Sequence, residues 1–311
     1  MQKISSKITR SDRDSSITAA LDSCSLLRLH LQSSFFADSE ILTPSSIFSA
    51  SPPFREKVSA RSDLGLFVYK MGAMKAAIGD AFITFVWMMC ISTAGAFTTI
   101  VSSAFNLHGV VASLGITTLF IAITVFVFNI ISEVLGGASF NPTGNAAFYA
   151  AGISSDSLFS MALRFPAQAA GAVGGALAIA ELMPSQYKHT LIGPSVKVDL
   201  HTGAIAEGVL TFLITLAVLC IMIKGPGGSV IKTLTLSVAT VALIVAGSGY
   251  TGPSMNPVNA YGWAYIDNRH NTWEQFYVYW ICPFIGAILA AWVFRFLFPP
   301  PSPESKKEKK A

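Results

Sequence analysis

The chain reads as an all-α membrane protein: six transmembrane helices and two re-entrant half-helices arranged as an inverted repeat. Three observations predict it. Six apolar stretches are long enough to cross a bilayer, two Asn-Pro pairs open short helical stretches between them, and the two halves carry matching motifs. Composition fixes the solvent. With 52% hydrophobic and 12% charged residues and a mean hydropathy of +0.56, the apolar surface exceeds what one soluble core hides.

Residues 1–70 are Ser-rich, aperiodic and without the apolar core of a signal peptide, and they are expected to form a disordered extension. An organellar transit peptide is an alternative reading, although Asp12, Asp14, Asp22, Asp38, Glu40, Glu56 and Asp63 are more acids than a typical one carries. Translation from Met71 would omit the segment. The membrane domain covers 71–298, with one repeat over 71–185 and a second over 200–298, and 299–311 form a basic tail. Spans are expected at 76–101, 110–131 and 158–182 in the first repeat and at 203–223, 233–249 and 276–298 in the second.

Asn suits a helix N-cap and Pro the first helical position, so Asn141-Pro142 and Asn256-Pro257 each start a helix. The stretches after them, 142–151 and 257–266, are about ten residues long, half a crossing at ~1.5 Å per residue. They enter the bilayer without spanning it.

Asp80-Ala-Phe-Ile-Thr84-Phe85 in the first span is matched by Glu207-Gly-Val-Leu-Thr211-Phe212 in the fourth. Asn141 and Asn256 lie 115 positions apart, and the same offset relates Gly171-Ala172 to Gly286-Ala287. Each copy holds three spans, an odd number, so the second enters from the opposite side and the repeat is inverted. The half-helices then dip from opposite faces, and their positive N-terminal ends meet near the midplane. Irregular backbone at that depth requires surrounding protein or a water-filled cavity, which implies a pore or a substrate site. There Asn141 and Asn256 cap their helices and can aim amide N–H groups into the lumen.

The sides of the membrane follow from the basic residues. Lys70, Lys75, Arg164, Lys224, Lys232, Arg295 and the lysine tail fall on one side, and Lys188, Lys197 and Arg269 on the other, placing both termini in the cytosol. Net charge is +4, and the tail lysines are suited to an anionic lipid surface. Asp80, Glu133 and Glu207 are costly at membrane depth, and a proton-coupled carrier would use such acids. Because they follow the repeat, the preferred reading is that they support the loops: Asp80 and Glu207 accept from re-entrant backbone, and Glu133 sits at the cytosolic entrance. Gly171, Gly174, Gly175 and Ala178, with Gly286, Ala287, Ala290 and Ala291, permit close helix crossing. The four cysteines show no disulfide framework or metal spacing. No catalytic grouping, cofactor motif or nucleic-acid signature is present, so an enzyme is not expected.

The two Asn-Pro half-helices, the acid-x-x-x-Thr-Phe pattern and Gln168-x-x-Gly171-Ala172 resemble the aquaporin (major intrinsic protein) superfamily over about residues 71–298. The segment Gly252-Pro-Ser-Met-Asn256-Pro257, the following Asn259-Ala-Tyr-Gly-Trp263 and the basic tail are most similar to the type 1 branch of the plant small basic intrinsic proteins. The resemblance implies a passive channel for water and other small neutral solutes, a homotetramer with one pore per subunit, and the endoplasmic reticulum membrane. Lys307 and Lys309 fit a cytosolic lysine-based retrieval signal. It also implies a central constriction at Asn141, Pro142, Thr143, Asn256, Pro257 and Val258. Thr143 and Val258 depart from the family, where Ala usually follows Asn-Pro, and are expected to shift or narrow the constriction. A selectivity ring nearer the non-cytosolic mouth is implied at Ile121, Ile244, Pro253 and Asn259, places where water-selective relatives commonly carry an aromatic, a histidine and an arginine. The ring here holds no cation, which predicts an apolar and wider filter. A secondary transporter, which also uses inverted repeats and broken helices, is the alternative, and a scaffold with a vestigial pore a third.

Overall fold

The computed structural model describes residues 53–225 and 227–299, with side chains from Lys70 onward. The chain divides into the units Met1–Ser62 and Asp63–Ala311, and among the described residues the helices belong to the second unit except for the first turns of α1. Helix α1 covers Pro53–Ser92, α2 Ala94–Ala104, α3 Val110–Val134, α4 Pro142–Ala150 and α5 Leu158–Leu182. After a short 3₁₀ turn at Ser185–Thr190 come α6 (Leu200–Leu219, ending in a π turn at Cys220–Lys224) and α7 (Ser229–Gly247). Helix α8 is Pro257–Ile266 and α9 is Trp273–Phe276, which continues through a π turn at Tyr277–Ile281 into α10, Cys282–Leu297. Among the described residues, 6 helical runs are long and apolar enough to cross a membrane.

Three departures from expectation have local causes. Disorder was expected to residue 70, yet the chain is helical from Pro53. Pro suits a helix N-terminus, and no proline lies between Pro53 and Pro142 to break the helix. The first span is interrupted at Thr93: Ser92 Oγ donates to the Met88 carbonyl at 2.7 Å and Thr93 Oγ1 to the Cys90 carbonyl at 2.7 Å. Such hydroxyl bonds compete with the helix ladder and bend it. The sixth span was expected unbroken; Pro283 lacks an N–H for the carbonyl four residues earlier, and the turn before it widens to a π turn.

The copies are held together alike. A side chain at Gly171 or Gly175 of α5 would collide with the carbonyls of Ala81 and Phe85 on α1, and one at Gly286 of α10 with the carbonyl of Gly208 on α6. Ala172, Ala287, Ala290 and Ala291 are fully buried beside them. Apolar groups gain little from meeting in lipid, so close backbone approach supplies the attraction. The outward faces stay apolar and exposed, as at Phe82, Val111 and Phe296, and suit lipid rather than water.

Candidate functional site

Both half-helices begin as the Asn-Pro pairs predict. Asn141 and Asn256 are extended (φ −144°, ψ 111° and φ −147°, ψ 106°), and each side chain accepts from the backbone N–H two residues on. Those bonds measure 3.1 Å to Thr143 N and 3.2 Å to Val258 N. The other end of each amide crosses to the opposite half-helix. Asn141 Nδ2 donates to the Met255 carbonyl at 3.1 Å, and Asn256 Nδ2 to the Phe140 carbonyl at 2.9 Å. Residues 140 and 255 each precede the partner asparagine, so the cross-link is reciprocal. Swapping oxygen and nitrogen in either amide would face oxygen to carbonyl and NH₂ to N–H, so the network fixes both orientations. Each NH₂ retains one hydrogen for a ligand.

The loops feeding the half-helices are tied to buried acids at positions equivalent in the repeat. Asp80 Oδ1 accepts from Ser139 N at 2.7 Å. Glu207 Oε1 accepts from Ser254 N at 2.7 Å and Thr251 Oγ1 at 3.2 Å, and Glu207 Oε2 from Met255 N at 3.1 Å. Met255 has a positive φ of 50°. For a residue with a side chain that conformation costs on the order of 1 kcal/mol and persists because its surroundings hold it. Here Glu207 takes its N–H and Asn141 donates to its carbonyl.

Charge compensation differs between the copies. Arg164 on α5 donates to Asp80 from Nε at 2.7 Å and Nη2 at 2.9 Å, to the Gly137 carbonyl at 3.0 Å, and from Nη1 to Asp156 at 2.8 Å and 2.9 Å. Gln168 Nε2 joins Asp80 at 2.6 Å to Asn145 of α4 at 3.0 Å. In the second copy Tyr279 replaces the arginine and donates to the Thr251 carbonyl at 2.9 Å. Among the described residues no cation pairs with Glu207. In the loop before α5, burial pushes the Asp156 carboxyl up, but the charge and hydrogen bonds of Arg164, with Ser154 and Ser160, hold it below the ordinary range.

A cavity of about 610 Å³ runs past the asparagine pair. Towards the end where α6 meets α7, Phe148, Thr215, Leu219 and Ser237 line it, and elsewhere along it Ile121, Ile244, Pro253 and Asn259. At about 30 Å³ each, on the order of 20 waters fit. The family described as "Major intrinsic protein" matches residues 67–294, most of the chain.

The chain belongs to the major intrinsic protein family.

Members similar to it include "Aquaporin SIP1-2" of Zea mays, 66% identical over 237 residues that cover 76% of this chain and 98% of the relative. "Aquaporin SIP1-1" of Arabidopsis thaliana is 53% identical over 242 residues, covering 78% and 100%. Among solved structures, the aquaglyceroporin from Plasmodium falciparum aligns with a TM-score of 0.54 at 19% identity, covering 73% of this chain and 98% of that one. That likeness establishes the fold.

In this major intrinsic protein the expected constriction residues separate into two groups. Asn141, Thr143 and Asn256 belong to the cavity lining and Pro142, Pro257 and Val258 do not, although Thr143 and Val258 are alike in burial, at 1% and 0% exposure. Thr143 Oγ1 donates to Asn141 Oδ1 at 2.7 Å, a second bond holding that amide. All four ring residues reach the cavity, and the Asn259 Oδ1 has no protein partner among the described residues. Glu133 supports no loop: its side chain is exposed and makes no hydrogen bond with the described residues, and Ser132 is the residue that bonds the loop, donating to the Ala138 carbonyl at 2.6 Å. The last turn of α3 presents Glu133 outward. Lys307 and Lys309 lie outside the described residues.

Sequence reasoning missed two features. Phe140 and Met255 supply the accepting carbonyls; Phe140 is fixed by stacking on Trp87 at 4.1 Å. A two-fold relation between positions 141 and 256 already demands that an amide reaching across one asparagine meet the residue beside the other, so that signal was present. The other is Lys197, which lines the cavity from the segment joining α5 to α6. No pattern in its loop singled it out.

Proposed function

We propose that the cavity is a passive channel for water and other small neutral solutes, with Asn141 and Asn256 as its centre and Ile121, Ile244, Pro253 and Asn259 as its filter. The observation that carries this is the reciprocal amide cross-link between Asn141 and Asn256 inside the cavity. Two helix N-termini, each with roughly half a positive elementary charge, and two free amide hydrogens face the lumen there. A passing water accepts from those donors, and the positive ends oppose cations and interrupt a proton wire, the general behaviour of aquaporin-type pores. Thr143 adds a hydroxyl at the centre, and the filter is two isoleucines, a proline and an unpaired amide. Such a filter gives modest discrimination among small neutral solutes.

A coupled carrier fits less well. Asp80 and Glu207 are occupied by loop backbone and side chains, and no carboxylate lines the cavity among the described residues. The relatives' name, aquaporin, supports water as permeant. The same resemblance supports a homotetramer in the endoplasmic reticulum membrane with both termini cytosolic and Lys307 and Lys309 as a retrieval signal. Stopped-flow swelling of liposomes holding the purified full chain tests the channel. Water flux rising in proportion to the osmotic gradient is expected; flux that saturates and needs an ion gradient would instead indicate a carrier.

A further inference from the structure

The filter's missing cation has a counterpart elsewhere. The segment joining α5 to α6 is strapped over the non-cytosolic mouth by backbone bonds from Ser195 N to the Thr251 carbonyl at 2.9 Å and from Lys197 N to the Tyr250 carbonyl at 2.8 Å. Lys197 Nζ then donates to the Ser248 carbonyl at 2.8 Å, which fixes the ammonium at the rim. Lys197 is the only charged side chain lining the cavity among the described residues. No described carboxylate neutralises it. Asp199, two residues on, caps α6 through Thr202 N at 3.0 Å, and Arg269 on the same side pairs with Asp267 at 2.7 Å.

We propose that Lys197 sets the charge selectivity of this pore, supplying at the mouth the fixed positive charge that the ring of Ile121, Ile244, Pro253 and Asn259 lacks. This rests on the proposed channel function and adds a fixed charge at the mouth to the barrier that the half-helix ends raise at the centre. The physical basis is local concentration. A fixed charge at a rim lowers the number of cations waiting there, so it scales cation flux whichever inner barrier limits passage. Because Lys197 is exposed, mobile salt screens the effect, and it vanishes when the Debye length shrinks to about 3 Å near 1 M. Neutral water is unaffected.

The full chain in liposomes, with an entrapped pH dye and an imposed potential, reads proton flux, and stopped-flow swelling of the same vesicles reads water. Lys197→Glu is expected to raise proton flux about tenfold at low ionic strength, Lys197→Gln less and Lys197→Arg not at all, with water flux within about twofold of native. In about 1 M salt the differences should disappear. Native proton flux in both the Glu and Gln variants, with water flux intact, would overturn the proposal. Should Lys197→Glu fail to fold, Lys197→Gln decides, since it keeps a donor for the Ser248 carbonyl. Absence of water flux in the native chain would remove the channel function instead.

Discussion

Removing the Glu207 carboxylate should uncouple the second half-helix from its loop. In Glu207→Ala the N–H groups of Ser254 and Met255, now 2.7 Å and 3.1 Å from the carboxylate, and the Thr251 hydroxyl at 3.2 Å lose their acceptors. A buried donor left unmade costs about 1–3 kcal/mol. The hydroxyl can rotate to another partner, whereas the two amides cannot, so the loss falls at about 2–6 kcal/mol. Ser254 and Met255 both line the cavity, where water can satisfy part of the deficit, which favours the lower half of that range. Glu207→Gln keeps one oxygen for Ser254 and Thr251 but turns an NH₂ towards the Met255 N–H, and should cost about 1–2 kcal/mol. Unfolding of the purified variants in detergent, followed by denaturant titration, ranks them. The expected order is native, then Gln, then Ala, with water flux falling alongside as the Met255 carbonyl loses its place against Asn141. An Ala variant as stable as native, or more stable than Gln, would refute the loop-supporting role.

A Cβ at Gly286 meets the Gly208 carbonyl, so Gly286→Val should cost about 1–3 kcal/mol or more by forcing α6 and α10 apart, read as lower detergent stability. The Asp156 carboxyl is held below its ordinary range, so its ion pair with Arg164 stabilises the fold above the usual carboxylate pKa of about 4 and is lost as pH falls through the lower folded value. Acid titration of detergent stability should therefore show a steeper decline in native protein than in Asp156→Asn below about pH 4; parallel curves would contradict it. Asn259→Arg should narrow the range of neutral solutes that swell the vesicles, and an unchanged solute profile would remove Asn259 from the filter.

Much of the architecture was legible because it rests on strong local signals. Apolar length marked the spans, and Asn-Pro marked the starts of α4 and α8 to the residue, since cap and first-turn chemistry are encoded in adjacent positions. The repeat paired Asp80 with Glu207 correctly because equivalent backbone needs equivalent acceptors. What failed depended on direction. Apolarity does not say which side of a short helix faces a lumen, so Thr143 and Val258, each immediately after Asn-Pro, look alike in the sequence although only Thr143 belongs to the cavity lining. Glu133 shares its depth with the loop acids, but it has no equivalent in the second copy and faces outward. Arg164 reads in the sequence only as a topological charge. Its pairing with Asp80 spans 84 positions, and the second copy, with Tyr279, gave no hint of it. The bend at Thr93 and the π turn before Pro283 come from hydroxyl and proline chemistry that hydropathy averages out.

Osmotic water permeability of liposomes carrying the full chain, native beside Asn256→Leu at equal protein content, probes the paired asparagines most directly. Native vesicles should shrink well above the rate of empty ones, and the leucine variant, with the amide gone and an apolar group in the lumen, should fall back to that baseline. Equal permeability in the two, or no difference between native and empty vesicles, would contradict a water path through the Asn141–Asn256 junction.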